Sequence, residues 1–232
     1  SVPPGDTGVV AVVSCDRREA LGRIRTCAEM LDALGITDAK RKVGKAAQHG
    51  VTSRKTLAES IELTVRGQAR AIRVFTATVG GVSGFTSICA LGDEVCKWRD
   101  SDGMSNAAEV IASLRPTMAT QQRAVMMLSS SPWLEGDAHA TLFARGTTHH
   151  QRASWAPSWV ANPTLGQCPD CAAPIGQSCD HDAARHEAAM LATVDLEPDE
   201  REWRREYEAI PMSDAASAWF PHEAIERCMV AG

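Results

Sequence analysis

Two adjacent carboxylates at the end of an apolar run are the residues best suited to chemistry in this sequence. The segment ICALGDEVCKW, residues 88–98, leads through small and apolar side chains to Asp93 and Glu94. Because a charged carboxylate is costly to bury, an acid pair at the end of a buried strand indicates a functional role. Asp93 could hold Mg²⁺, and Glu94 could activate a water molecule. An acid pair that only caps a helix or faces solvent is the alternative.

A cysteine and histidine cluster is the second group with chemical potential. Cys168 and Cys171 have the Cys-x₂-Cys spacing whose two thiolates bind one tetrahedral Zn²⁺, and Cys179 could add a third ligand. The fourth ligand would be His186, at the start of the following helical run, or His181, which is closer in sequence. Four protein ligands predict a structural site, and a chance cluster or a redox pair is the alternative. The pattern resembles short zinc fingers of actinobacterial and actinophage proteins.

The elements that must position the acid pair can be identified from periodicity. The run GVVAVVSC, residues 8–15, is apolar and β-branched, which predicts a strand buried on both faces. A helical stripe follows it, with Asp16 as N-cap and Gly35 as the stop. The segment SIELTVRGQARAIRVFTAT, which starts at Ser60, predicts a β-hairpin that turns at Arg66-Gly67. The polar, basic residues 37–55 predict a surface loop or poorly ordered structure.

Further along the chain, a second strand and helix accompany the acid pair. A helix is expected over residues 104–117, capped by Ser105 or Asn106, and the run AVMMLSSSPW, residues 124–133, predicts another buried strand. Alternating strands and helices predict an α/β fold with a mainly parallel sheet. Ligands bind beyond the carboxyl ends of such strands. Asp93 and Glu94 should therefore lie near the serines that end the later strand, which are Ser129, Ser130 and Ser131.

Composition excludes several other classes of protein. The chain has 232 residues, a net charge of −5 and 44% hydrophobic residues, which is ordinary for a globular protein and argues against a broadly basic nucleic-acid coat. No apolar run approaches the length of about 20 residues that spans a bilayer, so no membrane partner is expected. The first residues lack the pattern of a secretory signal. A cysteine cluster beside scattered single cysteines indicates a metal site and reduced thiols.

The order of these pieces resembles the ATPase domain of phage terminase large subunits, the motors that package viral DNA. The resemblance extends from GVVAVVSC through GFTSICALGDEVCKW, SLRPTM and SSSPW to NPTL, which ends at residue 165. It implies a P-loop NTPase-like fold, with Asp93 as the Walker B acid for Mg²⁺ and Glu94 as the catalytic carboxylate. Residues 129–131 would form the coupling motif, which links the state of the γ-phosphate of ATP to motion.

Three departures from that family bear on activity. Its Gly-rich phosphate loop is expected upstream of GVVAVVSC, whereas this chain begins seven residues before that strand. Ser83-Gly84 stands where the family often has Arg-Gly. The family's C-terminal nuclease would follow residue 232. The fold is therefore expected to be incomplete, with the phosphate loop absent, and the chain alone should hydrolyse ATP poorly.

The resemblance implies three regions and a set of partners. Residues 1–165 would form the ATPase core, 166–194 a zinc-finger-like insertion and 195–232 a helical linker towards a nuclease domain. The complete protein would couple Mg²⁺-dependent ATP hydrolysis to translocation of double-stranded viral DNA in the cytoplasm of the bacterial host. A homo-oligomeric ring, a terminase small subunit and a portal protein are the implied partners. A non-catalytic, zinc-containing module that binds DNA or protein on a degenerate NTPase scaffold is the competing hypothesis.

Overall fold

The computed structural model describes residues 2–3, 5–38, 50–161, 171, 181–197 and 199–213. The chain divides into two compact units, residues 1–130 and 131–232. The strands are β1 Gly8–Ser14, β2 Val51–Thr56, β3 Ser60–Val65, β4 Gln68–Thr76, β5 Thr86–Asp93 and β6 Val125–Ser129. The helices are α1 Arg17–Ala33, α2 Ala107–Met118, α3 Ala138–Ala144, α4 Ser158–Ala161, α5 Asp182–Val194 and α6 Glu200–Glu206. Among the described helices, none is long and apolar enough to cross a membrane.

The first unit is built on a sheet whose described strands follow the order β2-β3-β4-β1-β5-β6. The four strands β4, β1, β5 and β6 run parallel to one another, and β3 pairs antiparallel with both β4 and β2. Helix α1 packs against β1 and β4, and α2 packs against β5. The predicted α/β fold with a mainly parallel sheet is therefore confirmed.

The central strand β1 forms where the apolar run predicts it. Six of its seven residues are buried, as expected for a strand that has neighbours on both sides and helices packed against it. Helix α1 then begins after Asp16, whose Oδ1 accepts a hydrogen bond from the Glu19 N–H at 2.9 Å. It ends before Gly35, which has a φ of +76°. Both predicted ends of this helix are confirmed.

The hairpin between β3 and β4 turns at the predicted pair of residues. Arg66 and Gly67 have φ values of +50° and +75°, and Val65 pairs with Gln68 across the turn. Positive φ at both central residues matches the twist of the flanking strands. This turn fixes the register between β3 and β4.

The prediction of a surface loop over residues 37–55 is wrong for its described C-terminal part. Val51–Thr56 forms β2, which pairs antiparallel with β3. Within it Arg54 is 4% exposed, and its Nη1 forms an ion pair with Asp32 Oδ1 at 2.7 Å and also donates to the Ile36 carbonyl. Sequence alone does not predict this strand, because it does not show whether an arginine is buried with partners or exposed to solvent. Residues 39–49 lie outside the described residues.

The expectation that residues 124–133 form a buried strand is only partly correct. β6 is parallel to β5, but it lies at the edge of the sheet, and alternate residues are exposed. Val125 and Met127 are 52% and 61% exposed. Apolar sequence alone predicted burial here, whereas burial also requires a neighbouring element that covers this face.

Helix α2 starts at the predicted place but without the predicted cap. Asn106 is the N-cap residue, yet its side chain makes no capping hydrogen bond. The Asn106 amide instead donates to the Ala77 carbonyl at 2.8 Å, which ties the start of α2 to the segment that follows β4. Its Oδ1 is buried and has no hydrogen-bond partner among the described residues.

The second unit is described in part and is mainly helical. Trp159 and Trp203 stack with ring centroids 5.9 Å apart, and Arg205 lies 4.2 Å from the centroid of the Trp133 ring. These stacking and cation–π contacts make Trp133, Trp159 and Trp203 packing anchors of this unit. The helical run expected after the cysteine cluster is confirmed as α5, and α6 lies within residues 195–232, where helical structure was expected. The three-region division at residues 165 and 194 stays a prediction.

Gly92 supplies a test of the packing beneath the acid pair. A Cβ added there would lie 2.7 Å from Leu128 Cδ2 and 3.0 Å from the Trp98 ring. We expect Gly92→Ala to lower the free energy of unfolding by about 1–3 kcal/mol, measured by urea denaturation. Gly80→Ala is the control, because a Cβ there meets no atom within 4 Å, and its effect should stay within about 0.5 kcal/mol. Equal midpoints for the two variants would contradict this account.

Candidate functional site

The carboxyl ends of the parallel strands meet at one edge of the sheet. Ser14 at the end of β1 pairs with Thr76 at the end of β4, and Asp93 at the end of β5 pairs with Ser129 at the end of β6. Val13 pairs with Gly92, so β1 and β5 end within one residue of each other. The predicted proximity of Asp93 and Ser129 is therefore observed, and three hydroxyl groups share the edge with the carboxylate.

Asp93 is already paired with a cation from helix α1. The Arg23 guanidinium donates from Nε at 2.6 Å and approaches from Nη2 at 2.5 Å, and both contacts are to Asp93 Oδ2. The Asp93 side chain is 25% exposed and that of Arg23 is 47% exposed, so the pair faces solvent. Nothing in the sequence distinguishes Arg23 from the nearby arginines Arg17, Arg18 and Arg25.

Glu94 lies in a strained backbone position directly after the strand. Its φ of 54° and ψ of 47° are left-handed, a conformation that costs a residue with a side chain about 1 kcal/mol or more. Its Oε2 is buried and accepts no hydrogen bond from the described residues, although the Lys97 ammonium lies 3.3 Å away as an ion-pair partner. A carboxylate oxygen with spare acceptor capacity at a strand end is suited to take a hydrogen bond or a proton from a water molecule.

Trp98 holds the backbone of the acid pair in place. Its side chain is fully buried, and its indole Nε1 donates to the Asp93 carbonyl at 2.9 Å. The ring lies so close to Gly92 that a larger residue there would clash with it. A single turn of 3₁₀ helix over Val95–Lys97 connects the acids to Trp98. This turn reverses the chain, so that the Trp98 indole packs against the end of β5.

The serines after β6 differ in their relation to the acids. Ser129 is in register with Asp93, and Ser130 Oγ accepts a hydrogen bond from the Cys96 N–H at 3.1 Å. Ser130 thus contacts the turn that begins at Glu94, which links the predicted coupling motif to the predicted catalytic acid. Ser131 is the first residue of the second unit.

Ser14 is a residue of this edge that the sequence did not single out as functional. It is fully buried, and its Oγ has no hydrogen-bond partner among the described residues. The sequence does place Ser14 at the end of a buried strand, directly before the polar segment CDRRE, and this position could have identified it as a residue of the edge. Its hydroxyl is an unsatisfied polar group one strand away from Asp93.

A second acidic group lies at the start of α1. The ligand atoms of Cys15, Asp16 and Glu19 lie within 4.8 Å of one another. Asp16 caps the helix, and the Cys15 thiol donates to Glu19 Oε2 at 3.1 Å. Burial, and then the hydrogen bond and negative charge of Glu19, raise the pKa of Cys15 to about 11.

The predicted zinc ligands are only partly covered by the described residues. Cys168 and Cys179 lie outside them, whereas Cys171 and His181 are described and exposed. His186 falls within α5, which agrees with the expectation that it follows the knuckle on a helix. Whether these residues share a metal ion stays a prediction.

A cavity of about 760 Å³ lies elsewhere in the first unit. Asp6 and Thr86, near the amino ends of β1 and β5, line it together with Arg73, Ser113 and other residues. Neither Asp93 nor Glu94 lines this cavity.

Comparisons with known proteins place this fold. No family model matches the sequence, and no curated protein sequence matches it either. Among solved structures, a mutant form of the ATPase domain of the Thermus phage P74-26 large terminase aligns with a TM-score of 0.55 at 12% identity over 89% of this chain and 78% of that chain.

Two further large terminases align less closely. The HK97 bacteriophage enzyme gives a TM-score of 0.47 at 11% identity, over 88% of this chain and 40% of that chain. The enzyme of the thermophilic bacteriophage D6E, solved in complex with ADP, gives 0.36 at 11% identity, over 58% and 29%. These two values are too low to support a shared fold by themselves. The P74-26 alignment, at higher TM-score, shows that this chain has the fold of a phage large-terminase ATPase domain.

The Cys15 thiol gives a prediction that depends on pH. A pKa raised to about 11 leaves little thiolate at pH 8, so alkylation of Cys15 should be slow and should accelerate as the pH approaches 11. Glu19→Gln replaces the carboxylate with a neutral amide and so removes the negative charge beside the thiol, which lowers the pKa of Cys15 and should speed alkylation at pH 8 by about fivefold. Peptide mass spectrometry measures the rate at this residue. Glu29→Gln, an exposed change on the same helix, should have no effect, and equal rates in both variants would exclude the Glu19 contribution.

Proposed function

We propose that this chain is part of a phage DNA-packaging motor, a terminase large subunit that hydrolyses ATP to translocate viral DNA. The observation that carries the proposal is the meeting of Asp93, Glu94 and Ser129 at the carboxyl edge of a sheet with the large-terminase fold. Ligands bind at this edge in open α/β sheets. A fold alone hosts many functions, so the assignment rests on these side chains as well.

The donor set at this edge suits Mg²⁺ and a polyphosphate. Carboxylate and hydroxyl oxygens are the ligands that Mg²⁺ prefers, and Asp93 keeps a quarter of its side chain exposed. Asp93 would hold the ion, which would neutralise charge on the β- and γ-phosphates when bound. Ser129 and the buried Ser14 hydroxyl lie on the strands that flank Asp93.

Glu94 is the residue that would act on water. Its buried Oε2 can accept a hydrogen bond, so it can orient a water molecule for in-line attack and take up its proton. The turn from Glu94 to Lys97 and the indole of Trp98 restrict the movement of this carboxylate. The strained backbone at Glu94 fits a group held in place for chemistry at the cost of stability.

Ser130 would transmit the state of the site to the rest of the motor. Its hydroxyl accepts the Cys96 N–H, so a shift of the Glu94 turn on loss of the γ-phosphate would pull on the chain at the end of β6. Ser131, the next residue, begins the second unit. In this proposal Ser129, Ser130 and Ser131 form the coupling segment between hydrolysis and DNA movement.

The cysteine cluster would be a structural zinc site in the same protein. Cys168, Cys171 and Cys179, with His186 or His181 as the fourth ligand, would hold Zn²⁺ with no open position for substrate. The nearby acids Asp170, Asp180, Asp182 and Glu187 make this segment a poor binder of DNA phosphates, so a stabilising or protein-binding role fits better. The proposed setting is the host cytoplasm, in a homo-oligomeric ring with a terminase small subunit and a portal protein.

Glu94→Gln tests the catalytic proposal. The change keeps the shape of the side chain and removes its basic oxygen, so kcat for DNA-stimulated ATP hydrolysis should fall by about 10²-fold or more while nucleotide binding persists. The assay uses a form of the protein that hydrolyses ATP before the substitution is made, so that a loss of turnover can be measured. Glu62→Gln, an exposed glutamate of β3, is the control. Unchanged turnover in Glu94→Gln would instead favour the non-catalytic binding module.

Cys171→Ser tests the zinc proposal. Loss of one thiolate should release the bound zinc, measured by plasma mass spectrometry, and should lower the melting temperature by several degrees without changing ATP turnover. Cys27→Ser, in α1, is the control and should keep the metal. A wild-type chain purified from zinc-supplemented cells that holds no zinc would exclude the site.

A further inference from the structure

Arg23 of helix α1 contacts Asp93, the residue proposed to bind Mg²⁺. Arg23 directs both Nε and Nη2 to Asp93 Oδ2, at 2.6 and 2.5 Å, across 70 residues of sequence. The contact joins the helix after β1 to the end of β5, so it forms only when the sheet has brought these elements together. Two N–H groups on one oxygen make it a charge-assisted contact with defined geometry.

The neighbouring acid is balanced in the same way. Glu94 has the Lys97 ammonium at 3.3 Å, so each carboxylate at the strand end has its own basic partner in the absence of a ligand. One carboxylate charge at Asp93 cannot compensate both a guanidinium and a dication. A metal ion bound by either oxygen of Asp93 would also lie within a few ångströms of the Arg23 charge and be repelled by it.

The Arg23 side chain can leave Asp93 at low cost. It is 47% exposed, so its guanidinium can be hydrated when the contact breaks. Ion pairs that face solvent contribute little stability, which means that a divalent ion can displace one. The rest of α1 is held independently by its Asp16 cap and by its buried residues Ala20 and Ile24, so release of one arginine leaves the helix in place.

We propose that Arg23 is a competing counterion at Asp93: it occupies the carboxylate in the metal-free protein and is displaced when Mg²⁺ binds. This inference rests on the proposed role of Asp93 as a metal ligand. Arg23 is accordingly a positioning residue, which keeps Asp93 oriented and neutralised and sets the metal concentration at which the site fills. Its removal should strengthen metal binding, whereas removal of a ligand would weaken it.

Binding of Mn²⁺, a spectroscopic substitute for Mg²⁺, measures the competition directly in this chain by electron paramagnetic resonance. We expect Arg23→Gln to lower the Kd for Mn²⁺ by about tenfold, because it removes a positive charge next to the ligand. Arg25→Gln makes the same charge change at an exposed position of the same helix, and its effect should stay below about twofold because solvent screens it. Melting temperatures of both variants verify that the fold is kept.

Asp93→Asn separates this inference from the function on which it rests. If Asp93→Asn abolishes Mn²⁺ binding and Arg23→Gln strengthens it more than Arg25→Gln does, the competition is supported. If Asp93→Asn abolishes binding but Arg23→Gln matches Arg25→Gln or weakens binding, the competition is overturned and the metal role of Asp93 stands. If Asp93→Asn leaves binding unchanged, or if even Arg23→Gln binds no Mn²⁺, both the metal role and the competition are overturned.

Discussion

Hydrogen bonding of β5 between two parallel neighbours is the constraint on which the rest of the site depends. The register with β1 and β6 makes the three strands end almost together, which places Asp93 beside Ser129 and one strand away from Ser14. The carboxyl ends of parallel strands all lie at the same edge of the sheet, so side chains that are far apart in sequence lie close together there. The Trp98 indole then fixes the Asp93 carbonyl, and Gly92 leaves the space that this ring requires.

The charges at this edge are arranged as two acid–base pairs and not as a free acidic patch. Arg23 neutralises Asp93, and Lys97 neutralises Glu94. The two acids differ, however, in hydrogen bonding. Asp93 accepts from a guanidinium, whereas Glu94 keeps a buried oxygen without a hydrogen bond among the described residues. Two adjacent carboxylates in different surroundings can take different roles, one as a ligand for a cation and one as an acceptor of a proton.

Sequence reasoning succeeded where a local pattern determines the structure. The β-branched run of β1, the Asp16 cap and the Arg66-Gly67 turn each depend on neighbours within a few residues, and all three were predicted. It failed where the answer depends on distant partners. Arg54 is buried because Asp32 and the Ile36 carbonyl receive it, and Arg23 meets Asp93 only through the sheet. The acid pair could thus be found from sequence, whereas its counterions could not.

The exposed edge of β6 has a consequence for the extent of the site. β6 pairs with β5 on one side, no described strand pairs with its other side, and Val125 and Met127 expose apolar surface on one face of the strand. An edge of this kind is a template for one more strand. A parallel strand added to β6 would have its carboxyl end at the same edge of the sheet as Ser129 and Asp93. The sheet is therefore extendable on the side where its chemistry is concentrated, and a single added strand could enlarge the row of strand ends without moving any residue of the existing site.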